Sequence, residues 1–392
     1  MWGPATVLPS RLTLSVLPGA GRFCFWRFGA AMRKDLAVPR RGLSSSCPQP
    51  LRHRELKQLS HQRYNRLYVG KSISSPKLAA TVAEILQLEE KARHEVIMEC
   101  SPGRGILTKA LLETGASVIA LESQKNFIPH LKSLDEKRNG KLKVVHCDFF
   151  KMDPSNCNTV KPPIMLSQEL FPTLGIKANS WLEDTPFKIV GMFPINNEIK
   201  ALWKLLHDLY TCSSIFSYGR VEVYMFISEN QFEKLIAGPT KPELYHVLSV
   251  LWQLSCEMKL LLQKVPLSLF EMYTRDGLLV QKTPVKPQNQ CFIQMIPRKD
   301  LFTEYLTPIN YDIFFHMMKQ CFGRRSALLI QHLHSLTPCD PLTIMNKAKI
   351  KASVKPSDIY PQDFKRLFKA IECSSDDDSK WLYDRVTEEV RC

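Results

Sequence analysis

Residues 97–123 read IMECSPGRGILTKALLETGASVIALES. An apolar run carries an acid, Glu99, and breaks at Ser101–Pro102; Gly103 and Gly105 follow, and apolar residues then recur at helical spacing up to Gly115. A second apolar run, Ser117–Glu122, closes on another acid. This spacing predicts strand, glycine turn, helix and strand, with the helix stopped by Gly115. Glycines at such a turn let the backbone approach a ligand, and the helix behind it presents free N–H groups. The dinucleotide form G-x-G-x-x-G is not met, because Ser101 and Pro102 precede the glycines and Leu107–Thr108 follow them.

Moving outward, LKVVHCD (142–148), KIVGMF (188–193), VEVYMFI (221–227) and CFIQMI (291–296) read as short buried strands, and KLAATVAEILQL (77–88) as an amphipathic helix. Alternating strands and helices imply a mostly parallel sheet covered on both faces. ELYHVLSVLWQLSCEMKLLL (243–262) reads as one long apolar helix, followed by a loop, QKTPVKPQNQ (281–290). Beyond Arg298 the pattern turns helical in NYDIFFHMMKQCFG (310–323), RRSALLIQHLHSL (324–336) and PQDFKRLFKAIEC (361–373). A larger α/β domain over 66–299 and a small helical C-terminal domain over 300–392 are expected.

The 392 residues are 44% hydrophobic and 23% charged, ordinary for a folded chain, and no apolar run approaches the ~18 residues of a membrane span. Formal charge is +15. Residues 1–43 hold six arginines and one lysine against a single acid, Asp35, so the rest retains a surplus of nine. A basic remainder admits nucleic acid as a partner, although solubility alone explains a moderately basic surface. The leader, arginine-rich and without one uninterrupted apolar core, fits a mitochondrial transit peptide, with RRGLSSS as a processing site. The matrix is the expected compartment. Residues 44–65 read as a flexible basic arm. Twelve cysteines without a CxxC pair fit neither a disulfide framework nor a zinc site, and Cys100, Cys147, Cys256 and Cys321 read as buried thiols. Asp376–Asp378 reads as a solvated loop, and no metal site is expected.

Three acids sharpen the turn. Glu99 ends the first strand, Glu122 the second, near the spacing at which a carboxylate grips two ribose hydroxyls, and Asp148 the third, where it could accept from an adenine amine bordered by Phe149. Singly these are solvated strand ends. Three on one sheet edge, after E-x-x-P-G-x-G, point to S-adenosylmethionine rather than NAD.

Through ECSPGRGILT, ALES, HCDFF, VGMFP and CFGRRSALL the chain resembles the ribosomal RNA adenine dimethyltransferases, from about Leu67 to Arg391. That resemblance implies a Rossmann-like S-adenosylmethionine methyltransferase fold with a small helical C-terminal domain. It implies that Ile73, in KSISSP, lines the cofactor pocket with Glu122 and Asp148, beside Glu99, Gly103 and Gly105. The family's catalytic motif is Asn-Leu-Pro-Tyr or Asn-Leu-Pro-Phe, whose asparagine orients the target adenine and whose aromatic ring stacks on it. Here GMFPINN (191–197) puts Met192 at the asparagine and Ile195 at the aromatic; Phe193 is the other aromatic at the site, and Pro194 is kept. Ser101 replaces the first glycine of the turn.

Two functions stay open on this reading. One is a transcription initiation factor for mitochondrial RNA polymerase, acting at promoter DNA in the nucleoid with mitochondrial transcription factor A. The other is dimethylation of adjacent adenines in mitochondrial small-subunit rRNA, expected to be residual. Arg324 and Arg325 are the expected phosphate contacts, with Arg298 and Lys299 second. Trp381, Leu382 and Tyr383 in SKWLYDRVTEEVRC either dock on a partner or pack on their own domain.

Overall fold

The computed structural model describes residues 70–88, 96–135, 140–154, 165–183, 187–274, 277–280, 288–337 and 339–374. The leader, the arm at 44–65, Asp376–Asp378 and Trp381–Tyr383 lie outside the described residues.

In chain order, β1 (Gly70–Ile73) leads to α1 (Pro76–Leu88), β2 (Val96–Cys100), α2 (Ile106–Glu113) and β3 (Ser117–Glu122). Then come α3 (Ile128–Asp135), β4 (Leu142–His146), α4 (Ser167–Thr173), β5 (Phe187–Met192), α5 (Glu198–Tyr210) and β6 (Glu222–Ser228). The second half holds α6 (Glu229–Leu235), α7 (Val247–Ser255), β7 (Cys256–Val265), β8 (Phe270–Tyr273) and β9 (Gln290–Pro297). Helices α8 (Tyr311–Gly323), α9 (Leu329–Leu333), α10 (Pro341–Lys347) and α11 (Pro361–Glu372) follow.

The main sheet runs β4-β3-β2-β5-β6-β9-β7, and β1 pairs separately with β8. From β4 to β6 every pairing is parallel; β9 and β7 join antiparallel. The chain builds outward from β2 through β3 to β4, then returns to place β5 on the other flank of β2. That reversal leaves a crevice at the carboxyl ends of β2 and β5, where open α/β sheets bind ligands. Every residue of β5 and β6 is buried, Lys188 and Glu222 included. Both faces are covered, so these strands read as continuous apolar runs rather than alternating ones. Helices α1 and α2 cover one face through Leu78, Val82, Leu107 and Leu111. On the other face Leu202, Leu205 and Leu209 of α5 share one apolar cluster with Phe314 of α8 and Phe364 of α11.

Two expectations are corrected. The segment 243–262 is not one helix: α7 ends at Ser255 and the chain continues at once as β7. Pairing with β9, Cys256 opposite Pro297 and Met258 opposite Met295, outweighs the helical propensity of its leucines. RRSALLIQHLHSL is helical only at Leu329–Leu333; Arg324–Ser326 form the bend that follows the exposed Gly323. Cys100, Cys147, Cys256 and Cys321 are buried free thiols.

Candidate functional site

After β2 three of five residues enter the left-handed backbone region, Ser101 at φ 57°, Gly103 at 59° and Gly105 at 73°. Ser101 therefore keeps the backbone course that a glycine would adopt more easily, at a strain of ~1–2 kcal/mol. Gly105 caps the N-terminus of α2 without a side-chain bond. At Gly103 a side chain is excluded outright. A Cβ there would lie 2.4 Å from Ser72 Oγ and 2.5 Å from Tyr273 OH.

Two of the three acids are buried. Glu122 Oε2 accepts from the Gly103 N–H at 2.8 Å and Oε1 from the Gln124 N–H at 2.6 Å. Burial pushes its carboxyl up to about 7, against the pull of these N–H groups, with the charge of Asp148 adding to the rise. Glu99 accepts the Thr108 hydroxyl at 2.6 Å, and burial, opposed by that bond and reinforced by Glu122, raises it to about 8. Asp148 is half-buried, accepts from the Phe150 N–H at 3.2 Å and pairs with Lys151 at 2.9 Å. Phe149 beside it is buried.

Glu99 makes stability fall with pH. Its folded value lies above the ordinary 4.5, so folding takes up a proton between about 4.5 and 8, and its contribution is lost as pH rises through that window. The slope reaches about 1.4 kcal/mol per pH unit for one proton. Glu99→Gln keeps an acceptor for Thr108 but cannot ionise. Thermal melts of the variant between pH 6 and 8.5 should therefore decline less than those of the wild type; superimposable declines would mean Glu99 does not carry this proton.

These groups fit an adenosyl ligand. Each oxygen of Glu122 keeps a lone pair beside the N–H bond it accepts, enough for two vicinal hydroxyls. The Ser72 and Tyr273 hydroxyls are buried side by side and meet at the Gly103 cradle. Ile73 is buried in the cluster that also holds Leu107, Val190 and Met192, so β1 and the end of β5 share one apolar support.

The loop after β5 offers little to a base. Met192 is 7% exposed. Phe193 is fully buried, donates its N–H to Phe226 O at 3.0 Å and sets its ring 5.7 Å from that of Phe150. Its ring is spent on the core. Pro194 and Ile195 are half-buried, and Asn196 and Asn197 are exposed.

Arg324 and Arg325 are exposed and form no ion pair among the described residues. Burial lowers the pKa of His246, and the charge of Arg325 adds to that shift. Arg298 is engaged elsewhere, donating to Gln253 O at 3.3 Å and pairing with Glu257 at 3.4 Å; Lys299 is exposed. Sequence reasoning passed over Lys347, Lys349, Lys351 and Lys355, all exposed, while Ala348 and Ile350 between them are buried. The Leu329 N–H donates to Val354 O at 2.9 Å, which joins this lysine comb to the helix just beyond Arg325. The signal was the alternation in NKAKIKASVK. Ser72, Thr108 and Tyr273 were missed as well, and nothing local in the sequence marks them.

A chain of Homo sapiens named dimethyladenosine transferase 2, mitochondrial, is 49% identical over 406 aligned residues, covering 99% of this chain and 100% of that one. Its namesake in Mus musculus is 44% identical over 100% of both chains. A dimethyladenosine transferase of Plasmodium falciparum, known as a crystal structure, is 15% identical, covers 76% of this chain and 95% of its own, and superposes with a TM-score of 0.49. The family model described as ribosomal RNA adenine dimethylase matches residues 61–372, the turn, the three acids and the altered loop included, and the chain belongs to that family.

Proposed function

We propose that this chain is a transcription initiation factor built on a dimethylase fold. It works with mitochondrial RNA polymerase at promoter DNA, alongside mitochondrial transcription factor A, opens the duplex and holds the melted strand. The protein is mitochondrial; we assign residues 1–43 to its transit peptide and its work to the nucleoid in the matrix. Residues 66–299 form the methyltransferase-like part and 300–392 the helical part of this reading.

One observation carries it. The pocket keeps Glu99, Glu122, Asp148 and the glycine turn, while the loop that would aim a flipped base holds a buried thioether, an aliphatic chain and a ring locked in the core. A site shaped for an unpaired base, once its chemistry is blunted, still suits a separated strand. Arg324, Arg325 and the lysine comb would supply phosphate contacts, and among the described residues they form no ion pair with an acid.

S-adenosylmethionine is the family's cofactor and, when bound, supplies an electrophilic methyl group. Glu122 would hold the ribose, Asp148 the adenine amine, and the Gly103 backbone the close approach. Retention of these groups favours a second reading, dimethylation of adjacent adenines in mitochondrial small-subunit rRNA.

Abortive transcription with purified polymerase separates the two. On fully paired promoter DNA the first nucleotides should form only when the chain is added, and on a template melted beforehand it should matter much less. Equal dependence on both templates would sink the strand-opening role.

A further inference from the structure

Two acids that would grip the same ligand differ in access. The Asp148 side chain is 25% exposed, whereas Glu122 is 1% exposed. What covers Glu122 can be followed residue by residue. Its Oε2 accepts the Gly103 N–H at 2.8 Å, and a Cβ on Gly103 would lie 2.4 Å from Ser72 Oγ and 2.5 Å from Tyr273 OH. Ser72 and Tyr273 belong to β1 and β8, the two-stranded pair that stands apart from the main sheet. Burial pushes the Tyr273 phenol well above its ordinary range, and the charges of Glu122, Glu271 and Glu99 add to the rise, as they do for a hydroxyl set close to the acids of the pocket.

This pair of strands is held unevenly. At one end Ile73 stands opposite Phe270, and both are buried in the core cluster with Val190 and Met192. Phe270 lies edge-on to Phe226 at 5.1 Å, and Lys71 donates to Gln290 of β9 at 2.6 Å. At the other end Gly70 stands opposite Tyr273, which shares a small separate cluster with Phe127 and Leu131. An ion pair clips this end to the glycine turn, Arg104 to Glu271 at 3.3 Å, and both side chains reach solvent. Segments with few buried apolar contacts open locally at much less cost than the core. The end at Ile73 and Phe270 can therefore act as a hinge, and the end at Gly70 and Tyr273 as the free edge. We propose that β1–β8 is a strap across the ribose side of the cofactor pocket, latched by Arg104–Glu271, and that it lifts to let an adenosyl ligand reach Glu122. The inference rests on the cofactor pocket proposed above.

Charge reversal at the latch tests it. Glu271→Arg sets like charges against each other, and Arg104→Glu combined with Glu271→Arg restores an ion pair in the opposite sense. In the full chain without ligand, hydrogen exchange over residues 70–73 and 270–273 should quicken about fivefold in Glu271→Arg, the size of a partly exposed ion pair lost and inverted. The charge-swapped chain should return to within about twofold of the wild type, and β2 and β5 should exchange alike in all three chains. Stopped-flow association of S-adenosylhomocysteine should follow the same order, about fivefold faster in Glu271→Arg and near the wild-type rate in the swap. Unchanged exchange or association in Glu271→Arg, or a swap that behaves like the single variant, overturns the strap. Faster exchange in β2 and β5 as well would show a loosened fold and overturns it too. Failure of all three chains to bind S-adenosylhomocysteine overturns the pocket itself and leaves the strap nothing to gate, a distinct result.

Discussion

Met192→Asn combined with Ile195→Phe is expected to raise adenine dimethylation of a hairpin RNA by about one and a half to four orders of magnitude over the wild type. A thioether is a weak acceptor, so a target amine in the closed site goes unpaired, at ~1–3 kcal/mol. Without an aromatic ring the base forfeits a stacking contact of another ~1–3 kcal/mol. At about 1.4 kcal/mol per tenfold these account for the range. The backbone is ready for the exchange. Met192 is the last residue of β5, fixed opposite Phe226 of β6, so an asparagine there inherits a defined position. Ile195 is half-buried, so part of its side chain faces solvent. Phe193 does not substitute, because its ring is committed to Phe150 and the core. Methyl incorporation into the RNA, measured for the wild type, each single variant and the double, gives the result. Wild-type turnover equal to that of the double variant would show that the altered loop never limited the reaction.

How much of this was legible follows from where each signal resides. β2 through β6 were readable because strands buried on both faces are unbroken apolar runs, and the acids that end them are local features. β7 was not, since an edge strand with half-exposed Met258, Leu261 and Leu262 has the composition of a helix until β9 pairs with it. The glycine turn could be found, but not what fills it. Ser72 and Tyr273 come from strands far apart in the chain and meet only through the β1–β8 register. Likewise Thr108 looks like any helical threonine until α2 brings its hydroxyl to Glu99. Phe193, off the motif's aromatic position, was the one ring left there as a base-stacking candidate; burial decides against that use. The lysine comb is the converse case, because its alternation was plain in the sequence and its meaning depended on exposure.

The second large effect is expected at the other end of the molecule. Arg324→Ala with Arg325→Ala should weaken promoter DNA binding about tenfold at moderate salt and lower promoter-dependent initiation accordingly, without loss of stability. Both side chains are exposed and hold no acid among the described residues, so removing them leaves no buried charge behind and should move stability by no more than ~0.5 kcal/mol. Loss of two phosphate contacts should reduce the slope of log affinity against log salt by about 1.8 on duplex and about 1.4 on single strands. That slope separates phosphate contact from a folding defect, which would lower affinity without changing it. His246 offers an internal check: without the Arg325 charge its pKa should move upward toward the ordinary value, visible in an NMR titration of the free protein. A His246 shift together with an unchanged salt slope would show that the arginines were removed from a surface that nucleic acid does not touch. The lysine comb, joined to this bend through Leu329 and Val354, would then be the place where the strand lies.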